Sequence, residues 1–286
     1  SEDILKQAIS FSLKRGNSCI AVPDKSWWYF KALGKEFNSD VVEYKMIEGK
    51  DSYDYDDELL LNTLHEHKPA AVIICSPNNP TGNMITEDRI KNILKNKPKE
   101  TFVILDEAYW GFSKISFDEK LVEEFSDLII LRTFSKFYAL AGIRIGFAFF
   151  GSDFKSLRVY NNRYLGYNSL SEEITCAALE SDDYYKEVAE KIINDGVFLF
   201  NEFKKMGFKP YKTSANFILA KLPHDVFEFL KEELPKKSIY IKFFNEKIFK
   251  DCVRVSIGTI EHNILLVNTI RTLIEDKMSN IKGETI

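Results

Sequence analysis

Apolar residues in this chain gather into short unbroken runs, each closed by polar or turn-forming residues. Residues 19–22, 70–75, 101–105 and 128–131 read as buried strands, since a strand covered on both faces carries such runs instead of a strict alternation. Stretches 41–45 and 143–150 read as two more. Helical spacing fills the intervals. Ile4, Leu5, Ala8 and Ile9 mark an amphipathic helix at the start, a solvated acidic stretch at 54–58 leads into a helix ending near His67, and Thr86 begins a helix through Leu94. Ser26 is a candidate cap for the helix after the first strand. Strands alternating with crossovers from residue 18 to residue 150 predict a mostly parallel sheet covered on both faces.

Beyond Gly151 the pattern changes. A long helix is expected from about Asp183 to Met206, with Lys204 and Lys205 in its last turn and Gly207 as terminator. Strands at 216–221, 239–243 and 252–257 follow, with a final helix from Glu261 to about Lys277. The fold class is therefore α/β, a layered mostly parallel sheet, plus a smaller α+β C-terminal part. The expected division is residues 1–155 and 156–286, with the boundary in 151–170 and the long helix as a bridge.

Thirty-nine basic against 43 acidic residues give a net charge of −4, and no basic stripe or tail points to nucleic acid. Cys19, Cys75, Cys176 and Cys252 are widely spaced and form no CxxC pair, so they read as reduced core residues of a cytoplasmic protein. His65 and His67 stand two apart in a predicted helix and point to different faces, which argues against a metal pair. No run approaches the ~18 apolar residues of a membrane span. The chain opens directly into its first helix, as though a preceding loop had been cut away, and an upstream segment is expected.

Candidate chemistry collects at the strand ends, where ligands sit in open α/β sheets. After the run at 128–131, Lys136 lies among Phe134, Phe137 and Tyr138, with the hydroxyls of Thr133 and Ser135 and the forked donor of Arg144 nearby. Two readings stand open for Lys136: an exposed ammonium on a packed stem, or a desolvated, nucleophilic amine. The run at 101–105 empties into Asp106-Glu107-Ala108-Tyr109, and a carboxylate there needs a cation or a donor. The run at 70–75 enters Ser76-Pro77-Asn78-Asn79-Pro80-Thr81-Gly82, a rigid turn carrying two amides. Trp27, Trp28 and Tyr29 follow the first strand, either as packing or as a flat ring for a ligand.

Together, residues 76–82, 106–109, 133–144 and Val253-Arg254-Val255-Ser256-Ile257-Gly258 resemble fold-type I pyridoxal-phosphate enzymes, specifically class I/II aminotransferases of the histidinol-phosphate aminotransferase type. The resemblance implies a three-layer α/β/α fold, pyridoxal 5'-phosphate as cofactor, amino acid and 2-oxo acid substrates, and a homodimer. It implies that Lys136 forms the internal aldimine and shuttles the proton, and that Asp106 pairs with the pyridine nitrogen. Asn79 and Tyr109 then serve the phenolic oxygen, while Thr133, Ser135 and Arg144 hold the phosphate. Ser1 and Glu2 complete that cup at the first helix's N-terminus. Trp27 is the stacking ring, with Trp28 as the alternative, and Arg254 clamps the substrate carboxylate.

The chain departs from that family in lacking the N-terminal arm that covers the site and reaches the partner subunit, and at three positions. Where histidinol-phosphate enzymes carry further arginines that help read the substrate's phosphate, it has Ile260, Leu265 and Lys242. Two other readings accompany the aminotransferase: a pyridoxal-phosphate decarboxylase resembling the threonine-phosphate enzyme, and a binding or scaffolding domain without catalysis.

Overall fold

The computed structural model describes residues 1–15, 17–113, 116–160 and 168–283. In chain order the first part comprises α1 (Glu2–Leu13), β1 (Cys19–Pro23), α2 (Tyr29–Glu36), β2 (Asp40–Tyr44), β3 (Met46–Glu48), β4 (Tyr53–Tyr55), α3 (Asp57–His67), β5 (Ala71–Cys75), α4 (Glu87–Asn96), β6 (Phe102–Asp106), α5 (Leu121–Glu124), β7 (Leu128–Thr133) and β8 (Gly146–Phe150). There follow α6 (Ser169–Glu180), α7 (Asp182–Lys205), β9 (Lys209–Pro210), β10 (Phe217–Lys221), α8 (His224–Lys236), β11 (Lys242–Phe243), β12 (Cys252–Ser256) and α9 (Ile260–Gly283).

Six strands form the main sheet in the order β2-β1-β5-β6-β7-β8, parallel throughout except where β8 returns antiparallel to β7. The apolar runs at 70–75, 101–105 and 128–131 become its central strands, and β5 is buried along its whole length. Helices cover both faces. Leu5, Ala8 and Ile9 of α1 and Phe30 and Leu33 of α2 pack under one face, and Leu60, Leu64, Ile90 and Ile93 of α3 and α4 pack under the other. Each leucine, isoleucine or phenylalanine among them, removed from water, contributes roughly 1.5–3 kcal/mol. The strand order reverses between β1 and β5, and there the carboxyl ends of neighbouring strands leave a crevice.

A second, antiparallel sheet runs β11-β12-β10-β9 and packs against α7, α8 and α9 through Leu199, Phe203, Leu230 and Ile270. The architecture is the expected layered α/β sheet with a smaller α+β part. The boundary expected in 151–170 falls partly on 161–167, which lie outside the described residues.

Several local expectations are corrected. Ser26 caps no helix: α2 starts at Tyr29 with Trp28 at its N-cap, and the Ser26 hydroxyl donates instead to Asn78 Oδ1 at 2.5 Å. The strand expected at 143–150 begins only at Gly146, because a 3-10 turn at Ala141–Ile143 and a left-handed Arg144 precede it. The strand expected at 239–243 is two residues long. Cys176 is exposed on α6 and is no core residue. The acidic stretch at 54–58 is more than solvated surface, since Asp54 and Asp57 both bind Arg89 of α4.

The β3–β4 hairpin, absent from the sequence reading, reaches across to the second sheet. Glu48 takes Lys209 Nζ and the Tyr211 hydroxyl, and Lys212 N donates to Asp51 O at 2.7 Å. Gly82 adds a second contact. Its φ of +74° is one L side chains rarely adopt, Ser214 N donates to its carbonyl, and a Cβ there would lie 2.3 Å from Thr213 Oγ1.

Candidate active site

Four strand ends converge on one cavity of about 690 Å³. The lining includes every residue to which the resemblance gave a cofactor or substrate role: Ser1, Glu2, Trp27, Asn79, Asp106, Tyr109, Thr133, Ser135, Lys136, Arg144 and Arg254. The first ten come from the main sheet's side, and Arg254 reaches in from β12 of the second sheet.

Asp106 ends β6 and is 5% exposed. Its Oδ1 accepts from Ala108 N at 2.9 Å, and among the described residues no cation lies within ion-pair distance of it. Burial pushes its carboxyl up to about 6, against the pull of the Ala108 N–H and of the Ser1 amine and Lys136 charges. A buried carboxylate so placed is costly without a positive partner. The cavity therefore favours a ligand that presents a cation at this point.

Lys136 stands in the turn after β7 and is itself exposed, while its sequence neighbours Phe134, Phe137 and Tyr138 are buried. The turn is fixed at both ends: Phe134 N donates to Ile145 O, Leu140 N to Phe134 O, and the Tyr138 hydroxyl to Asp182 at the start of α7. Desolvation, then the like charges of Arg254 and Arg144, hold the Lys136 amine below the ordinary lysine value, and Asp106 opposes them. Its Nζ lies 5.6 Å from the centre of the Tyr109 ring, with no carboxylate in ion-pair range among the described residues. The side chain is exposed to the open cavity, as the first reading has it, and its amine is the less basic one that the second reading expects.

Tyr109 is buried and packs edge-on against Phe217 of β10; burial pushes its hydroxyl up to about 12, with Arg254 opposing. Asn79 and Arg254 meet directly, Arg254 Nη1 donating to Asn79 Oδ1 at 2.6 Å, while the guanidinium lies 5.3 Å from the Phe217 ring centre. Two amides sit on the same turn and do different work. Asn78 is fully buried and ties the turn to β1's exit, donating to Lys25 O at 2.7 Å and to Thr81 Oγ1 at 2.5 Å, whereas Asn79 faces the cavity. Ser76 N donates to Asp106 O at 2.9 Å, which sets the turn against β6.

At the other end, the Thr133 and Ser135 hydroxyls lie 3.0 Å apart. The Arg144 guanidinium is 67% exposed, 3.9 Å from Glu2 Oε2. Ser1 precedes the first turn of α1, whose free N–H groups make an anion site. Trp27 is half-buried against Tyr29 and Phe30, while Trp28 is 64% exposed. Both reach the lining.

Sequence reasoning missed the far wall. Phe244, Glu246 and Phe249 line the cavity with Lys242, and no periodicity distinguishes this charged, irregular stretch. Lys242 lies opposite Arg254 in the β11–β12 register, so the two cations stand side by side. Of the other two positions where the sequence departs from the resemblance, Ile260 and Leu265 are 37% and 57% exposed and outside the lining. Cys75 was also missed as a lining residue. It ends β5 directly beside Asp106.

A family model described as "Aminotransferase class I and II" matches residues 3–270. A histidinol-phosphate aminotransferase of Ruminiclostridium cellulolyticum is 29% identical over 283 residues, 97% of this chain and 76% of the relative. The chloroplastic histidinol-phosphate aminotransferase of Nicotiana tabacum is 33% identical over 221 residues, 77% of this chain and 53% of the relative. Among solved structures, histidinol-phosphate aminotransferase from Sinorhizobium meliloti in complex with pyridoxal-5'-phosphate matches at a TM-score of 0.79 and 21% identity, covering 96% of this chain and 81% of that one. L-threonine-O-3-phosphate decarboxylase from Porphyromonas gingivalis matches at 0.73 and 18%, covering 95% and 81%.

Proposed function

The chain belongs to the aminotransferase class I and II family of pyridoxal-phosphate enzymes, and from that premise we propose that it moves an amino group between an amino compound with an anionic side chain and a 2-oxo acid. One observation carries the reading. A buried carboxylate without a counter-cation, Asp106, and an amine held below its ordinary basicity, Lys136, face the same cavity. When bound, pyridoxal 5'-phosphate supplies an aldehyde to carry nitrogen and a ring to accept electrons.

Each residue then has a physical task. Lys136 holds the aldehyde and, once released, moves a proton at the substrate's α-carbon. Asp106 supplies the negative charge that keeps the ring nitrogen protonated. Tyr109 and the Asn79 amide donate to the phenolic oxygen, and Thr133, Ser135, Arg144 and the N–H groups at Ser1 and Glu2 bind phosphate. Trp27 stacks on the ring. Arg254 binds the α-carboxylate, and Lys242 beside it binds the far anionic group, a carboxylate or a phosphate ester.

Residues 1–155 as the cofactor part and 156–286 as the small part belong to the same proposal. So do a homodimer, supported by exposed Leu170 and Leu179 on α6, and a cytoplasmic setting, supported by four free thiols. The test loads the protein with pyridoxal 5'-phosphate and follows its visible absorbance while amino donors are added, with 2-oxo acid and CO2 measured in parallel. Absorbance loss with stoichiometric 2-oxo acid is expected. CO2 without 2-oxo acid would make it the decarboxylase, and no single turnover with any donor would leave only a binding domain.

A further inference from the structure

Directly behind the cavity lies a buried ion pair that the roles above do not use. Arg132 precedes Thr133 in β7, so alternation turns its side chain to the face away from the cavity, and Glu107, just past the end of β6, meets it there; neither lines the cavity. Glu107 is 1% exposed and Arg132 6% exposed, and Arg132 Nε donates to Glu107 Oε2 at 2.8 Å.

The remaining bonds of the pair end on one place. Arg132 Nη2 donates to Phe117 O at 2.9 Å, and Phe117 N donates to Glu107 Oε1 at 3.4 Å. The guanidinium lies 4.9 Å from the Trp110 ring centre and 5.3 Å from that of Phe149 on β8. Glu107 N reaches Leu131 O at 2.9 Å, and Trp110 N reaches Glu107 O at 2.9 Å. The chain leaving β6 is thus pinned by its backbone at Glu107 and Trp110, and by the side-chain pair at the Trp110 ring and again at Phe117. Between the first two pins sit Ala108, whose N–H holds Asp106, and Tyr109, which faces Lys136.

A buried ion pair is a poor source of stability, because desolvating two charges offsets most of their attraction and apolar side chains of similar size often serve as well. What it provides is fixed length and direction. We propose that Glu107 and Arg132 are a positioning pair, acting on the reaction by holding Ala108 against Asp106 and Tyr109 at its distance from Lys136. The inference rests on the aminotransferase reading, because it needs Asp106 and Tyr109 to touch the cofactor.

The test compares the cofactor-loaded wild type with Glu107→Gln and with the double variant Glu107→Leu/Arg132→Leu. Melting temperature, the pH midpoint of the bound cofactor's visible absorbance, kcat and KM are measured for each. In the double variant the melting temperature should stay near wild type. The pH midpoint should move by about half a unit or more, and kcat should fall about tenfold or more with KM little changed. Glu107→Gln should show the same direction with smaller size. A folded variant with wild-type midpoint and kcat overturns the proposal, and so does failure of both variants to fold, which would assign the pair to folding alone. A wild type without cofactor absorbance fails the functional reading instead.

Discussion

Arg254 and Asn79, on different sheets and 175 positions apart, share a hydrogen bond of 2.6 Å from guanidinium Nη1 to amide Oδ1. The bond fixes which way the amide faces. With its oxygen turned to Arg254, Asn79 leaves its NH2 group free for a ligand, which suits it to an anionic oxygen. Under the proposed roles, the residue for the substrate's carboxylate thereby orients a residue for the cofactor.

Asn79→Asp should separate those two functions. A carboxylate still accepts from Arg254, so the two sheets remain linked, but it has no N–H to give and, under the proposed role, adds negative charge beside the phenolic oxygen. Turnover should fall about 10- to 100-fold. The added negative charge favours the protonated form of whatever titrates there, so the pH midpoint of the bound cofactor's absorbance should rise. A spectrophotometric pH titration checks it, and an unchanged midpoint would remove Asn79 from the cofactor's surroundings.

Asp106 predicts a pH signature in stability. Burial raises its carboxyl from 3.8 to about 6 in the cofactor-free protein, so from about pH 4 to 6 the folded state holds a proton the unfolded chain has released. Stability contributed by that proton is lost as pH rises through the folded value. A cationic ring nitrogen reverses the penalty, and the gain in melting temperature on adding cofactor should be larger at pH 7.5 than at pH 5. Glu107, pushed up to about 7 by burial despite Arg132, slopes the same way in both states. Asp106→Asn isolates the effect. It should abolish the pH difference and slow turnover about 10²- to 10³-fold.

How far the sequence foretold this site follows from what signals each part. Asp106, Thr133 and Asn79 were legible because each closes or follows an apolar run, and a polar group at a buried strand's end has few reasons to be there. The β3–β4 hairpin was not, because strands of three residues carry no measurable periodicity. Ser26 misled because a hydroxyl before a helix usually caps it, yet buried Asn78, 52 positions on, was the stronger claimant. The wall at Lys242 and Phe244 depends on how the second sheet seats against the first. No local pattern encodes that.

The seating itself can be tested at Glu48, which binds Lys209 and Tyr211 across the gap. Burial raises the Glu48 carboxyl, but the bonds from Lys209 and Tyr211 outweigh it and leave the group below its ordinary value. Its contribution is therefore present at neutral pH and lost as pH falls through the folded value. Glu48→Gln should cost about 1 kcal/mol at pH 7, after allowing for solvent screening. The cost should vanish in acid, read as converging denaturation midpoints.

Lys242 bears most directly on the substrate. It lies beside Arg254 in the strand register, lines the cavity, and among the described residues forms no ion pair with a carboxylate, its Nζ lying 5.5 Å from the centre of the Phe244 ring. Two uncompensated cations side by side repel, and a ligand with two anionic groups relieves both at once. Lys242→Gln should therefore raise KM about tenfold or more for donors ending in carboxylate or phosphate. Donors with small neutral side chains should be unaffected or bind slightly better, because only Arg254 serves them. Lys242→Arg should restore the acidic donors and favour a phosphate ester, whose oxygens match the guanidinium fork. Equal KM changes for acidic and neutral donors would show that Lys242 supports the wall without reading the substrate.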